Sequence, residues 1–335
     1  MSTMNLRPLS GTEPRRRPRR LAIATPYLNR LQRQHFLLLT VVPFCGTIVA
    51  GGLAFVRPVT RLDLTLFFVM WLATGVGVSV GYHRLFTHRS FEATKRVRVL
   101  LAALGGMAGL GPVISWAAMH RRHHQYADRD GDMHSPNLHG KSWIGKIRGL
   151  VHAHLTWMIQ HEYPNIVHYT PDLLEDSAIV RTSRRYATWV LLGLAIPTTV
   201  GGLVSRSLAG AATGFLWGGL VRMFVVAQSI SALNSILHSA GEQHFDLRDN
   251  SRNNWLLGVL IWGEGWHNNH HAFPRSASFG LRWYRVDISY WLIRLMEKLG
   301  IAWNVVVPTA EQLGSRYSSP GETSPSSPDT YPNSY

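Results

Sequence analysis

Nine of the seventeen histidines fall into four clusters whose spacing suits metal binding. They are His83 and His88 in HRLFTH; His120, His123 and His124 in HRRHH; His238 at the end of NSILH; and His267, His270 and His271 in HNNHH. In each H-x-x-H-H motif the rings stand at i, i+3 and i+4, on one face of a helix. The i and i+4 rings can grip one ion, as in other helical two-histidine sites. The i+3 ring is then displaced sideways, free for a second ion. Asn234 and His238 repeat the i, i+4 spacing. His83 and His88 are five apart, about 140° around a continuous α-helix, so they converge only if that helix ends or bends between them. A lone histidine is ordinarily a satisfied polar group, and a single H-x-x-H-H motif serves equally as a pH-sensitive surface patch. Nine neutral imidazoles packed together without a metal would leave many ring nitrogens lacking partners. Protonated, they would repel one another.

All-nitrogen ligation suits zinc, copper, iron or nickel, so ligand type does not choose the metal. Zinc takes about four ligands and needs one site. Nine histidines and an asparagine point to two ions, each with about five or six ligands including water. A redox pair beside a bilayer suits oxidation of an unactivated C–H bond, which acid–base groups cannot attack because its hydrogen is not acidic.

These clusters need elements to hold them, and the composition says which kind. Only 16% of the 335 residues are charged while 46% are hydrophobic, against about 25% charged in a soluble domain. Four apolar stretches, 35–56, 64–82, 187–205 and 209–233, approach the roughly 20 residues that cross a bilayer. Lys and Arg number 8 before residue 35, 14 in 83–186 and 8 in 235–335, and only three (Arg57, Arg61, Arg206) lie in the short links. The positive-inside rule therefore places both termini, the middle section and the histidines in the cytoplasm. The stretch 99–119 is apolar enough to span, yet crossing would put the first two histidine clusters about 30 Å apart. It must double back, in the interface or under the cap. Val286–Trp303 reads as an interfacial amphipathic helix. Residues 1–34 read as a basic disordered arm, 35–310 as the membrane domain with its cap in 83–186 and 234–310, and 311–335 as a disordered Ser/Pro-rich tail. The single cysteine, Cys45, excludes an internal disulfide and reads as a small buried hydrophobe.

The stretches GYHRLFTHRSF (81–91), WAAMHRRHHQYADRDGDMHSP (116–136), LNSILH (233–238) and WGEGWHNNHHAFP (262–274) resemble the membrane fatty acyl-CoA desaturases of the stearoyl-CoA Δ9 type, bacterial members especially. With the order of spans, the resemblance covers roughly 35–310. It implies an all-α integral membrane protein with four transmembrane helices under a cytoplasmic helical cap that holds a histidine-rich di-iron site. The implied reaction is O2-dependent insertion of a cis double bond into an acyl chain lying in a bent tunnel. Carried over by position, the iron ligands are the nine histidines, with Asn234 acting through a water. The i/i+4 argument divides them: His83, His88, His120, His124 and His270 for one iron; His123, His238, His267, His271 and the Asn234 water for the other. The resemblance further implies fatty acyl-CoA or another acyl carrier as substrate. With no cytochrome b5 motif in the chain, a separate electron donor such as ferredoxin or a flavin reductase is expected. Ala118 and Met119 replace an Arg-Asp pair of the animal enzymes, so head-group recognition must differ.

Asp128, Asp132 and Glu264 adjoin the motifs and are expected to accept the second N–H of ligand histidines; solvated loop charge is the simpler reading. His134 lies outside the ligand pattern. Phe67, Trp71 and Trp116 are candidates for the tunnel wall, against plain helix packing. Arg222, inside the fourth span, is a functional candidate or is paired with a cap carboxylate. Arg121, Arg122, Lys141, Lys146 and Arg148 are candidates for phosphate or head-group contact, or a solvated basic face. The rival readings are a di-iron lipid hydroxylase on the same scaffold and a non-enzymatic membrane metal-binding protein. The expected location is a multi-pass position in the inner or plasma membrane, with lipid and no nucleic acid as partner.

Overall fold

The computed structural model describes residues 21–159 and 161–317. Four helices are long and apolar enough to cross a membrane: α1 (Pro26–Ala54), α2 (Arg61–Thr87), and, after a helical excursion, α7 (Tyr186–Ser205) and α8 (Leu208–Ser235). Their outer faces are apolar and exposed, as at Leu38 and Ile48 on α1, Phe68 on α2 and Leu191 on α7. Such surfaces suit lipid, and backbone groups satisfied within each helix permit it. Cys45 is one of these exposed residues, so the expectation that it is buried is corrected.

The expected arm is shorter than 34 residues. Thr25 caps α1 through Leu28 N (3.2 Å) and Pro26 stands in its first turn, so the helix starts there. Ala22–Ile23 also pairs with Tyr163–Pro164. The expected tail likewise begins later, since Ala310–Tyr317 is helical and the Thr309 and Gln312 side chains cap its start reciprocally. The rest of both ends lies outside the described residues. A capping box of Thr60 and Asp63 starts α2.

Between the second and third spans the chain forms α3 (Lys95–Met107), α4 (Val113–Tyr126), α5 (Trp143–His154) and α6 (Ser177–Arg184). The stretch 99–119 is thus a helical hairpin and no span. It turns at Gly109 and Gly111, both with positive φ. Helix α3 runs back along α2, because Gly77 meets Gly105 and Gly81 meets Leu101. A Cβ on Gly77 would fall 2.2 Å from Gly105 N. The tip is pinned by Tyr82 Oη donating to Gly111 O (3.1 Å) and Gly111 N donating to Tyr186 Oη (2.9 Å). The stretch doubles back as expected, as two helices packed against the second span.

Arg222 explains how the hairpin end is held. Its guanidinium, fully buried, donates to Gly218 O (3.1 Å), Met107 O (2.6 Å) and Gly193 O (2.7 Å). Met107 ends α3, and Gly193 stands four residues before Pro197, which has no N–H to give it. The expected carboxylate partner is replaced by three backbone carbonyls. After α8, the chain adds α9 (Trp255–Leu260), α10 (His267–Ala272) and α11 (Ile288–Lys298). Helix α11 buries Ile293 and Met296 and exposes Arg294 and Lys298, as an amphipathic helix does, with Trp291 and Leu295 also exposed. A short pairing of Glu92–Ala93 with Ala302–Trp303 ties the cap together.

Candidate metal centre

The last part of α2, Gly77–Thr87, is wound as a π-helix. His88 N donates to His83 O (3.1 Å), a five-residue bond. The wider turn brings residues five apart onto one side, and the two rings lie 5.0 Å apart. The expected end or bend is therefore a change of helical register. Helix α4 presents His120, His123 and His124; His238 follows the end of α8; α10 carries His267, His270 and His271.

Two groups result. Ligand atoms of His83, His88, His120, His124 and His270 all lie within 4.8 Å of one another, and so do those of His123, His238, His267 and His271. This is the membership that the i/i+4 division gives. Each H-x-x-H-H motif straddles both groups, and in opposite senses. On α4 the i and i+4 rings enter the first group, whereas on α10 they enter the second. The groups adjoin, with the His124 and His271 rings 4.5 Å apart. Asn234 lines a cavity with His83, His120 and His267.

The donor chemistry fits a cation in each group. Burial first, and neighbouring histidines next, push His88, His120, His124, His267 and His270 well below the usual imidazole range. Neutral rings keep a lone pair. Nε2 faces Nε2 between His83 and His270 (3.1 Å), His120 and His124 (3.1 Å), His124 and His270 (2.9 Å), and His238 and His267 (3.1 Å). The Nε2 atoms of His88, His123 and His271 are buried without any partner. Converging lone pairs repel unless an electrophile sits between them.

Carboxylates fix the tautomers. His238 Nδ1 donates to Asp128 (2.9 Å), His123 Nδ1 to both oxygens of Asp132 (3.1 Å), and His83 Nδ1 to Glu264. A fourth pair, His271 Nδ1 to Asp249 (3.0 Å), involves a residue the sequence did not single out. Asp249 lies in the loop before α9 with no periodic relation to α10; only the pairing of each acid to one histidine would have prompted a search for it. Burial opposes the charge of all four acids, yet the facing histidines and other donors hold them below the usual carboxylate range. Burial lowers His123, but Asp132, Asp128 and Asp249 together raise it above the usual imidazole range.

Behind Glu264 lies a second missed network. Arg84, fully buried over the Phe279 ring (3.9 Å), donates to Ser79 Oγ (2.7 Å) and Asp287 (3.0 Å) and pairs with Glu264 (3.2 Å). Asp287 also caps α11 and accepts from Phe279 N (2.8 Å), which sets the Phe279 ring against His270 (4.3 Å). Gly263 has φ +102°, and a Cβ there would strike Asp287.

The cavity beside the first group has polar walls at Ser79 and Glu264 and apolar ones at Val78, Trp116, Ile230 and Leu233. Trp116 stacks on His120 (5.1 Å). Trp71 packs on Trp262 (4.8 Å), whose indole lies over Gly75, and Phe67 packs on Phe68. Neither Phe67 nor Trp71 lines the cavity. Arg121 is buried, bidentate to Asp172 (2.7 and 2.9 Å), and so is corrected from a head-group candidate to a brace. Arg122 is also buried, while Lys141, Lys146 and Arg148 are exposed. His134 packs its ring on His123 (4.4 Å), and burial pushes it down to about 3.

Residues 63–305, which contain all four histidine clusters, match the model of the fatty acid desaturase family. The chain belongs to that family. The hex-5-enoyl-(acyl-carrier protein) acetylenase of Moorena producens (strain JHB) is 47% identical over 296 residues, covering 88% of this chain and 92% of that protein. The sn-1 stearoyl-lipid 9-desaturase of Anabaena variabilis is 34% identical over 244 residues (72% and 83%). Acyl-CoA desaturase 1 of Saccharomyces cerevisiae is 32% identical over 287 residues (84% and 54%). As a member of the fatty acid desaturase family the chain is an oxidoreductase of lipid metabolism, with four candidate spans and histidine clusters that could hold metal.

Proposed function

We propose that the chain is an O2-dependent desaturase that places a cis double bond, at Δ9, in a saturated fatty acyl chain. Two irons would be held by the nine histidines, with Asn234 acting through a water. The observation that carries this reading is the convergence of two groups of imidazole lone pairs in a chain of the fatty acid desaturase family. The overall change balances as one acyl CH2–CH2 unit, O2, two electrons and two protons giving CH=CH and two waters. When bound, the irons supply the redox chemistry with O2 that no side chain can supply. The protein's part is to fix geometry and exclude water. Asp128, Asp132, Asp249 and Glu264 hold the Nδ1 protons of their histidines, which turns each Nε2 inward. Trp116, Ile230 and Leu233 offer an apolar wall for the chain.

The acyl-CoA carrier is inferred from the family resemblance, with electrons from a separate ferredoxin or flavin reductase. A second reading of the carrier rests on the 47% identical relative, whose name places its substrate on acyl-carrier protein. The charge asymmetry supports a multi-pass protein in the inner or plasma membrane with the histidines on the cytoplasmic side. Expression in a desaturase-deficient host, followed by mass spectrometry of its fatty acids, tests the reaction. A product lighter by two hydrogens with its double bond at Δ9 is expected. A product carrying one more oxygen would make the chain a hydroxylase, and an unchanged profile would contradict both. Offering purified protein stearoyl-CoA and stearoyl-acyl-carrier protein separately decides the carrier.

A further inference from the structure

The four carboxylates are shared unequally between the two histidine groups. In the second group, His123, His238 and His271 each donate Nδ1–H to an acid of their own, Asp132, Asp128 and Asp249. Among the described residues these three acids form ion pairs with histidines alone. Their other partners are neutral: Asn250 N (2.7 Å), Ser135 Oγ (2.5 Å) and Asn137 Nδ2 (2.9 Å) for Asp128, Asp128 N (2.9 Å) for Asp132, and Ser251 N (2.9 Å) for Asp249. In the first group only His83 has an acid, Glu264, and that charge is offset by the buried guanidinium of Arg84 at 3.2 Å. One histidine of each group, His270 in the first and His267 in the second, has its Nδ1 buried with no partner. Three negative charges thus surround one position, against a net charge of one at the other, where Glu264 and Asp287 share the single guanidinium of Arg84.

Building on the two-metal reading, we infer that the positions are unequal. The one formed by His123, His238, His267 and His271 takes its ion first and releases it last. Buried charge acts through a low dielectric, so three uncompensated acids favour a cation strongly. They also make their histidines better donors, each such partner being worth about 10–100-fold in metal affinity. The first position has one more imidazole, which works the other way. A neutral dipole in place of water is a smaller effect than the net difference of two charges. The resulting half-loaded protein has its single ion in the carboxylate-braced position, and Asp128, Asp132 and Asp249 are positioning residues for it.

Full-length protein, stripped of metal in detergent, can be titrated with Co(II) against a competing chelator while the cobalt visible bands are followed. Two one-equivalent steps, at least about tenfold apart in affinity, are expected. Asp249→Asn should weaken the tight step by about 10–100-fold and leave the weak step in place, whereas Glu264→Gln should weaken only the weak step. Unchanged melting of the metal-free variants separates this from misfolding. If Asp249→Asn does not fold, the wild-type steps and Glu264→Gln still decide. Two equal wild-type steps, or a loss of the weak step in Asp249→Asn, would overturn the inference. Uptake of one ion or none would overturn the two-metal reading beneath it, and the stoichiometry tells the two failures apart.

Discussion

At the scale of single residues, the two H-x-x-H-H motifs are used in opposite senses, so that His270 crosses from α10 to the group built mainly on α2 and α4. It faces His83 and His124 through Nε2 at 3.1 and 2.9 Å. His270→Ala should therefore open the first position and cut desaturation by more than about 100-fold, the upper end for an outer-shell change. Fatty-acid profiling of the expressing host measures this, and normal turnover would contradict the ligand assignment. The nine histidines were candidates because their spacing within each motif is local, and Asp128, Asp132 and Glu264 because they adjoin those motifs in the chain, although Glu264 meets His83 and Asp128 meets His238 only through the fold. Asp249 was not, because its approach to His271 depends on how the loop after α8 folds back. Arg121 was misread for a related reason: a basic residue in a polar motif reads as exposed, yet Asp172 and the carbonyls of Phe86, Thr87 and Tyr169 bury it.

At the scale of elements, the site depends on two departures from plain α-helix. The π-wound end of α2 aligns His83 with His88, and the hairpin of α3 and α4 returns His120, His123 and His124 to the same end of the spans. The sequence required convergence and required the stretch 99–119 not to cross, on parity alone. It held no signal for π winding, which arises where Gly77 and Gly81 let α3 approach α2 closely. Arg222 joins α8 to the end of α3 through Met107 O and to α7 through Gly193 O, and also bonds Gly218 O in its own helix. Arg222→Met should cost about 3 kcal/mol, roughly 1 kcal/mol for each carbonyl left without its donor. A lowered melting temperature in detergent is expected, and an unchanged one would show that water or neighbouring donors replace the guanidinium.

At the scale of the whole molecule, charge and hydropathy were enough to locate four spans, and their faces are apolar where lipid would lie. Boundaries were less legible, since caps such as Thr25 and the reciprocal pair Thr309 and Gln312 extend helices beyond the apolar runs. On the function proposed above, two metal ions would sit on nine histidines at one end of four candidate spans. Anomalous X-ray diffraction at the iron edge, from crystals of protein purified with its native metal, tests that directly. It should give two peaks per chain, one among His83, His88, His120, His124 and His270 and one among His123, His238, His267 and His271. A single peak, none, or peaks away from these groups would contradict it.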